Sequence, residues 1–218
     1  MRKLLPILAL MAVTACETDS YDTGTGPYSY TQADFVEAHT DAECTVTDVE
    51  TDDGTRLTLA PKAAAGWINR PDTVYRALLY YNDRGGMSVE PVAISPVPVL
   101  IPKSEAEFEE VLTDPVRFES AWIGKNGKYA NIGMYLKNGA VAGNDMRHTI
   151  ALIDKGTTVN ADRTTTAYML LYHNQGGVPE YYSSRYYISI ACDGMEADSL
   201  VIAINTYDGM TERRLSLR

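Results

Sequence analysis

Tyrosine is the residue type whose number and spacing most suggest chemistry in this sequence. The chain has 15 Tyr against 3 Phe and 2 Trp. A compact cluster near the C-terminus consists of Tyr181, Tyr182, Arg185, Tyr186 and Tyr187. A tyrosine offers a flat apolar ring with a polar hydroxyl, which suits recognition of sugars or of protein partners. Two interpretations stay open: the cluster is a candidate binding surface, or its rings pack as cross-strand pairs within a sheet.

Acidic, histidine and cysteine side chains are the candidates for a metal site. An acidic run before Gly54 comprises Asp48, Glu50, Asp52 and Asp53. It lacks the spacing of an EF-hand loop, which would need Gly at position 53 and Glu at the position of Leu59. The remaining candidate ligands are His39, Cys44, His148, His173 and Cys192. No two of these have the spacing of zinc ligands, so we predict no metal and interpret the acidic run as a solvated hairpin tip.

Nucleophilic catalysis leaves no local pattern either. The sequence has no Gly-x-Ser-x-Gly elbow, no cysteine-histidine signature and no phosphate-binding loop. Paired carboxylates for glycoside hydrolysis meet in space rather than in sequence, so spacing does not identify them. We therefore predict no catalytic residue and no cofactor, and a hydrolase with unidentified carboxylates stays an alternative.

The N-terminal segment has the organisation of an export signal. Arg2 and Lys3 precede an apolar run at residues 4–13, which is too short to span a bilayer. The run leads into Val13-Thr14-Ala15-Cys16, which resembles the lipobox of bacterial lipoproteins. In that motif the cysteine carries acyl chains such as palmitate and becomes the new N-terminus. We therefore expect an outer membrane lipoprotein of the bacterial cell envelope, with its periplasmic or surface orientation left open.

Charge restricts the class of partner. The chain carries 19 Lys+Arg against 29 Asp+Glu, a formal net charge of -10, and removal of residues 1–15 would take away two more positive charges. An acidic protein gains little from the counterion release that drives nucleic-acid binding, and anionic lipid surfaces repel it. The expected partners are the membrane, through the lipid anchor, and a glycan or protein ligand, with no nucleic acid.

The sequence patterns around these residues predict two β-rich domains. Residues 16–38 are acidic and rich in Gly and Thr, which indicates a flexible tether. Short alternating segments over residues 39–103, with a turn at Asp52-Asp53-Gly54, predict a small OB-like barrel. Ser104 and Glu107 have the spacing of a capping box and predict a connecting helix over residues 104–113.

The C-terminal half predicts a second β-domain. Residues 114–218 contain seven short strand patterns separated by turn residues, which is typical of an antiparallel β-sandwich. The predicted fold class is therefore mainly β, with a small OB-like barrel followed by an antiparallel β-sandwich. Strand alternation places Cys44 in the barrel core and Cys192 in the sandwich core, so we predict no disulfide between them.

Several motifs also resemble a known family, the NigD-like lipoproteins. They are Asp53-Gly54-Thr55-Arg56-Leu57, the run from Asp114 to Gly124, Tyr129-Ala130-Asn131-Ile132-Gly133, Tyr182-Ser183-Ser184-Arg185 and Asn205-Thr206-Tyr207-Asp208-Gly209. The resemblance extends from about Ala42 to the C-terminus and implies an OB-like domain followed by a β-sandwich. The family has no established activity, so it supplies no catalytic or binding residue.

The functional hypotheses rank as follows. The leading one is a lipid-anchored envelope protein with a non-enzymatic binding or accessory role. An envelope glycan or peptide hydrolase is the first alternative. The second is a bacteriocin-associated protective protein, which rests only on the gene cluster from which the resembling family takes its name.

The lipobox predicts that Cys16 is the point of membrane attachment. The substitution Cys16→Ser removes the sulfur that would be acylated, so the variant should leave the membrane fraction and lose fatty-acid labelling. Cell fractionation with metabolic labelling measures both effects. A serine variant that still labels and still sediments with membranes would show that the anchor lies elsewhere.

Overall fold

The protein folds as two β-domains joined by a short linker. The computed structural model describes residues 31–83, 85–140 and 145–218. They form fourteen strands and one turn of 3-10 helix, which confirms the predicted mainly β class. Cys16 and the predicted signal peptide lie outside the described residues. No helix in the described ranges has the length and apolar character needed to cross a bilayer.

The N-terminal domain is a closed barrel. Its strands are β1 (Thr31–Thr40), β2 (Val46–Thr51), β3 (Arg56–Ala63), β4 (Val74–Asn82) and β5 (Ser88–Pro96). Neighbours follow the order β1-β2-β3-β5-β4, and β4 pairs with β1 to complete the barrel. Val36, Val49, Leu59 and Leu79 are among the side chains that fill its interior, because alternate residues of a strand point to the same side.

The predicted tether is too long, because β1 begins inside it. The boundary was placed at residue 38, whereas β1 covers Thr31–Thr40. The first four residues of β1 are Thr-Gln-Ala-Asp, and none of them is buried, so their pattern resembles a polar loop. They are strand residues because β4 pairs with β1 along its length, from Thr31 opposite Asn82 to His39 opposite Val74.

The C-terminal domain is a two-sheet sandwich. Its strands are β6 (Val99–Leu100), β7 (Pro102–Lys103), β8 (Arg117–Ile123), β9 (Tyr129–Asn138), β10 (Thr149–Val159), β11 (Thr165–Asn174), β12 (Tyr182–Ala191), β13 (Ser199–Thr206) and β14 (Gly209–Ser216). One sheet has the order β14-β13-β11-β10-β7 and the other β6-β12-β9-β8. The seven predicted strands correspond to β8–β14, and a core separate from that of the barrel lies between the two sheets.

Three strand pairs of the sandwich are parallel, which the antiparallel prediction did not include. β11 runs parallel to β13 because the intervening β12 crosses to the other sheet, so β13 returns in the direction of β11. β6 adds in parallel to β12, and β7 adds in parallel to β10. The sandwich therefore begins at Val99, and the predicted boundary at residue 114 is too late.

The predicted connecting helix over residues 104–113 is a single 3-10 turn at Glu105–Glu107. The predicted capping box is present: the Ser104 backbone N–H donates to Oε1 of Glu107 at 2.9 Å. The turn ends because Phe108 adopts an extended backbone. The Phe108 ring packs against Tyr172, with 4.7 Å between ring centroids. The packing of Phe108 on the sandwich outweighs the local helix preference of residues 108–113.

Both cysteines within the described residues are free thiols, as predicted. Cys192 is buried in the sandwich core, and its burial raises the pKa of the thiol. Cys44 contacts the barrel core from a turn, with φ +58°, rather than from a strand as predicted. The turn forms because Asp41 accepts hydrogen bonds from the backbone of Glu43 and Thr45.

A buried charge joins the two domains. Arg76 on β4 has a side chain that is only 2% exposed. Its guanidinium donates to both carboxylate oxygens of Asp52, at 2.6 and 2.7 Å. It also donates to Asn131 at 3.0 Å and Ser189 at 3.2 Å, both on the sandwich, and lies 4.1 Å from the ring centroid of Tyr129. A charge removed from water is tolerated only when it is paired and hydrogen-bonded in this way.

The turn between β8 and β9 brings the sandwich backbone close to Asp52. A Cβ atom built on Gly124 would lie 2.9 Å from Cγ of Asp52, so a larger residue would push the carboxylate away. The backbone N–H of Asn126 donates to the carbonyl of Asp52 at 2.8 Å. Lys128, two residues further along the chain, pairs with Glu37 and Glu50 of the barrel at 2.8 and 2.7 Å. The orientation of the domains is thus fixed by polar contacts with defined geometry.

The interdomain charge predicts a large stability difference between two arginine variants. Arg76→Ala leaves Asp52 without its partner and should cost about 3–5 kcal/mol of the free energy of unfolding. Arg56→Ala removes an arginine that is 70% exposed in its pair with Glu50, and should cost at most about 1 kcal/mol. Urea unfolding followed by tryptophan fluorescence measures both. If both variants lost the same small amount of unfolding free energy, that result would contradict a structural role for Arg76.

Candidate functional site

The predicted tyrosine surface is divided between two sides of β12. Successive strand residues point to opposite faces, so Tyr182 and Tyr186 lie on one face and Arg185 and Tyr187 on the other. Tyr181 and Tyr182 are 73% and 57% exposed. The Tyr186 hydroxyl hydrogen-bonds to Asn138, with 3.3 Å between the oxygen atoms. The five predicted residues therefore do not form one continuous contact surface.

Tyr187 belongs to the domain interface rather than to an open surface. Its ring lies 5.1 Å from the Phe35 ring of β1 and 6.5 Å from Trp122 of β8, both in edge-to-face geometry. Phe35 and Trp122 are in turn 5.3 Å apart. Burial, the largest effect, raises the pKa of the Tyr187 hydroxyl. Tyr187 thus packs against the barrel, whereas the sequence placed it in the candidate binding surface.

Arg185 is engaged by its own sheet. Its guanidinium donates to Oε1 of Glu119 at 2.6 Å and to the hydroxyl of Tyr135 at 2.7 Å. The Tyr135 hydroxyl also donates to Glu119, at 3.1 Å. Hydrogen bonding to Tyr135, the largest effect, raises the pKa of Arg185, and the negative charge of Glu119 acts in the same direction. The arginine and its partners thus form a closed polar network beside a more open region.

That open region is a groove between the edge strands of the two sheets, β8 and β14. We call it the Arg117 groove, and its characteristic residues are Arg117, Phe118, Tyr135, Lys137, Tyr207 and Arg213. It consists of two adjoining depressions of about 360 and 250 Å³, which share Arg117 and Tyr207. Beside the groove, the N–H of Val116, just before β8, donates to the carbonyl of Asn205 on β13 at 3.0 Å and so joins the two sheets.

Two guanidinium groups are stacked on aromatic rings in this groove. Arg117 lies 4.0 Å from the ring centroid of Tyr135, and Arg213 lies 4.5 Å from that of Phe118. Within the described part of the chain, neither arginine forms an ion pair with a carboxylate. Stacking fixes the plane of a guanidinium while leaving N–H groups at its edge available. The groove therefore presents oriented positive charge.

Tyr207 forms a wall of the groove at the β13–β14 turn. It is 49% exposed. Partial burial, followed by the charges of Glu180 and Asp114, raises the pKa of its hydroxyl. Tyr207 consequently stays a neutral hydrogen-bond donor at physiological pH. Hydroxyl groups of Thr206, Thr211 and Ser183 line the same groove.

The sequence contained little that could identify this groove. Its residues come from β8, β9, β12 and the β13–β14 hairpin, and strand pairing brings them together over about ninety positions. Several of them fall in motifs that carried the family resemblance, but that family supplied no binding residue; they are Arg117, Phe118, Ser183, Thr206, Tyr207 and Asp208. Arg117 and Arg213 were missed because a single arginine in a strand looks like an ordinary solvent-facing residue.

The acidic run before Gly54 is distributed among separate contacts. Asp48 pairs with His39 at 2.6 Å, and Asp52 pairs with Arg76. Asp53 accepts hydrogen bonds from Thr51 and Thr55, which hold its pKa at about 2. Throughout the described ranges, no three His, Cys, Asp or Glu residues are grouped so as to hold a metal ion.

Two histidines 25 positions apart meet in the sandwich. Nδ1 of His148 lies 2.9 Å from Nε2 of the buried His173. The outer nitrogens face backbone carbonyls, Nε2 of His148 that of Lys137 and Nδ1 of His173 that of Asp114, both at 2.9 Å. Only one hydrogen atom fits between Nδ1 of His148 and Nε2 of His173, so the two nitrogens cannot both be protonated and remain hydrogen-bonded to each other. Burial, followed by the charge of His173, lowers the pKa of His148.

The histidine pair predicts that stability falls on acidification. Because the pKa of His148 is lowered in the folded protein, the unfolded chain binds a proton more readily once the pH drops below about 6.5. The stabilisation from neutral His148 is therefore present above that pH and is lost as the pH falls below it. Urea unfolding at pH 7.5 and 5.5 measures the free energy of unfolding. Its decrease between the two pH values should be smaller for His148→Gln than for the unchanged protein. Parallel pH profiles would contradict this role.

The divided tyrosine cluster predicts opposite behaviour for two neighbours. Tyr187→Ala removes a ring packed between Phe35 and Trp122 and should cost about 2–4 kcal/mol. Tyr182→Ala removes a largely exposed ring, so its cost should stay within about 0.5 kcal/mol. Thermal unfolding of the two variants is the measurement. A melting temperature lowered equally in both would contradict the placement of Tyr187 in the domain interface.

Comparisons with solved structures bear out the two-domain fold. A NigD-like immunity protein from Bacteroides caccae is 22% identical, with a TM-score of 0.62 over 84% of this chain and 90% of its own. A proposed toxin-related protein from Parabacteroides distasonis is 21% identical, with a TM-score of 0.61 over 85% and 92%. A proposed lipoprotein from Bacteroides fragilis is 10% identical, with a TM-score of 0.58 over 86% and 98%. At these identities the likeness shows the fold alone.

The sequence comparisons concern the C-terminal domain. No curated protein matches the chain. Residues 99–217 match the model of the NigD-like C-terminal beta sandwich domain, and this range begins at β6, where the structure also begins the sandwich. Since the match covers more than half of the chain, this protein belongs to the NigD-like family.

Proposed function

We propose that this protein is a lipid-anchored component of the bacterial outer membrane that binds a ligand in the Arg117 groove without converting it. The observation that carries the proposal is the pair of stacked guanidiniums, Arg117 over Tyr135 and Arg213 over Phe118, which lack carboxylate partners within the described structure. Side chains held in place before a ligand arrives lose little conformational entropy on binding.

The composition of the groove favours binding over hydrolysis. Glycoside hydrolysis requires two carboxyl groups on either side of the scissile bond. Among the residues that line the two depressions, Asp208 is the single carboxylate. Ser183, which lies in the groove, makes no hydrogen bond to His148 or His173, whose ring nitrogens are occupied by one another and by carbonyls. These features support a non-enzymatic role.

The tether supports an envelope location. Residues 17–30 separate Cys16 from the start of β1. A chain of this length reaches at most about 50 Å when fully extended. An acylated Cys16 would thus hold the two domains within reach of the membrane surface while leaving the groove free to meet a ligand. The proposed lipoprotein of Bacteroides fragilis with a similar fold is consistent with such anchoring.

A protective role is the second candidate. It is favoured by the descriptions of two proteins of similar fold, an immunity protein and a proposed toxin-related protein. In that case the ligand of the Arg117 groove would be a secreted toxin rather than a component of the envelope. The groove and the anchor would serve both roles, and the identity of the captured partner distinguishes them.

Photo-crosslinking in living cells tests the proposed binding site. A benzophenone side chain at position 207 should form a discrete adduct, whereas one at exposed Val74 on the barrel should not. Arg117→Gln should lower the yield at position 207 about tenfold or more, since a charged hydrogen bond contributes on that scale. Equal adducts at both positions would contradict the site. Turnover of envelope glycan or peptide fragments by the purified protein would overturn the non-enzymatic role.

A further inference from the structure

The charge of the Arg117 groove differs from that of the molecule around it. The whole chain has a formal net charge of -10. The groove instead contains Arg117, Lys137 and Arg213, with Asp208 as the single acid in its lining. An isolated positive region on an acidic protein attracts anionic groups at short range, while the surrounding charge repels polyanions that do not fit.

The hydrogen-bonding capacity of the arginines suits an oxyanion. No hydrogen bond from the Arg117 guanidinium to another part of the described chain is present, and its ring contact is with Tyr135. Arg213 uses Nη1 for Thr211 and the carbonyl of Glu212, at 2.9 and 3.0 Å. Its Nε and Nη2 make no hydrogen bond to the described part of the chain. A planar guanidinium with free donors binds carboxylates in a bidentate manner.

The neutral part of the lining suits a sugar better than a peptide. Tyr207 offers an exposed ring face, and Thr206, Thr211 and Ser183 offer hydroxyl groups at different points along the groove. A sugar ring stacks on an aromatic face and exchanges hydrogen bonds with hydroxyls. A bound peptide would need apolar pockets for its alternate side chains, and Met210 is the main apolar side chain exposed there.

The shape of the groove indicates a chain rather than a single sugar. Its two depressions of about 360 and 250 Å³ share Arg117 and Tyr207, so they adjoin one another. The cationic side chains are spread over both parts, with Arg213 in one, Lys137 in the other and Arg117 in each. An oligosaccharide with repeated carboxylates matches this arrangement.

We infer that the Arg117 groove binds an acidic glycan, with sugar carboxylates on Arg117 and Arg213 and a sugar ring on Tyr207. This inference rests on the proposed function, because it names the ligand class of the same site. An acidic peptide is the competing class, and the same experiment separates the two.

Isothermal titration with defined oligosaccharides tests the inference. The full chain carrying Cys16→Ser is titrated with oligomers of galacturonate, alginate and hyaluronan, each beside its carboxyl-reduced neutral form. At least one acidic oligomer should bind, its neutral form should bind tenfold or more weakly, and affinity should fall with added salt. Oligoglutamate of matched charge should bind more weakly than that oligomer.

Matched variants locate the binding. Arg117→Gln and Arg213→Gln should each weaken the acidic oligomer about tenfold or more. Arg56→Gln, which removes the same charge from the exposed barrel surface, should change little. Failure of every acidic oligomer, equal binding of neutral forms, or preferred binding of oligoglutamate would each overturn the inference. Should that occur while position 207 still forms its adduct in cells, the ligand class is wrong and the proposed binding function stands.

Discussion

The guanidinium of Arg76 lies where an unpaired charge would be too costly to keep. It is almost completely buried between two domains that have separate hydrophobic cores. The folded state must therefore supply Asp52, Asn131 and Ser189 at hydrogen-bonding distance, together with the ring of Tyr129. Three of these four partners come from the sandwich: Tyr129 and Asn131 from β9, and Ser189 from β12. The barrel consequently has one favourable orientation on the sandwich, and the positions of all other surfaces follow from it.

This orientation divides the outer face of the four-stranded sheet. At one end of β9 and β12, Asn131 and Ser189 are buried beneath the barrel, and Tyr187 packs against its Phe35 ring. Four residues further along β9 the face is open, and there Tyr135 supports Arg117. The same two strands thus provide a domain interface and one wall of the Arg117 groove. Rigid strands hold both regions, so the groove is positioned by the scaffold rather than by a loop.

Local sequence patterns predicted the strands and turns better than the contacts that these elements make with distant parts of the chain. The β4 strand and the Asp52-Asp53-Gly54 turn were predictable because a content rich in Val, Leu and Tyr, and turn residues, act over a few positions. The start of β1 was not, since its polar residues are strand residues only through pairing with β4. The capping box at Ser104 formed but was followed by Phe108 packing on Tyr172, a contact outside any local window. The groove was not predictable because five strands supply its residues.

The pair between Arg76 and Asp52 also has a consequence for the order in which the protein folds. Both residues belong to the barrel, whose last strand ends at Pro96. A chain that emerges from its N-terminus can complete the barrel, and this ion pair, well before β12 appears. The nascent barrel would then display a hydrated, oriented arginine on its surface. The sandwich strands that form later would meet this oriented guanidinium. Asn131 and Ser189 would then supply its last two hydrogen-bond partners as one domain docks on the other.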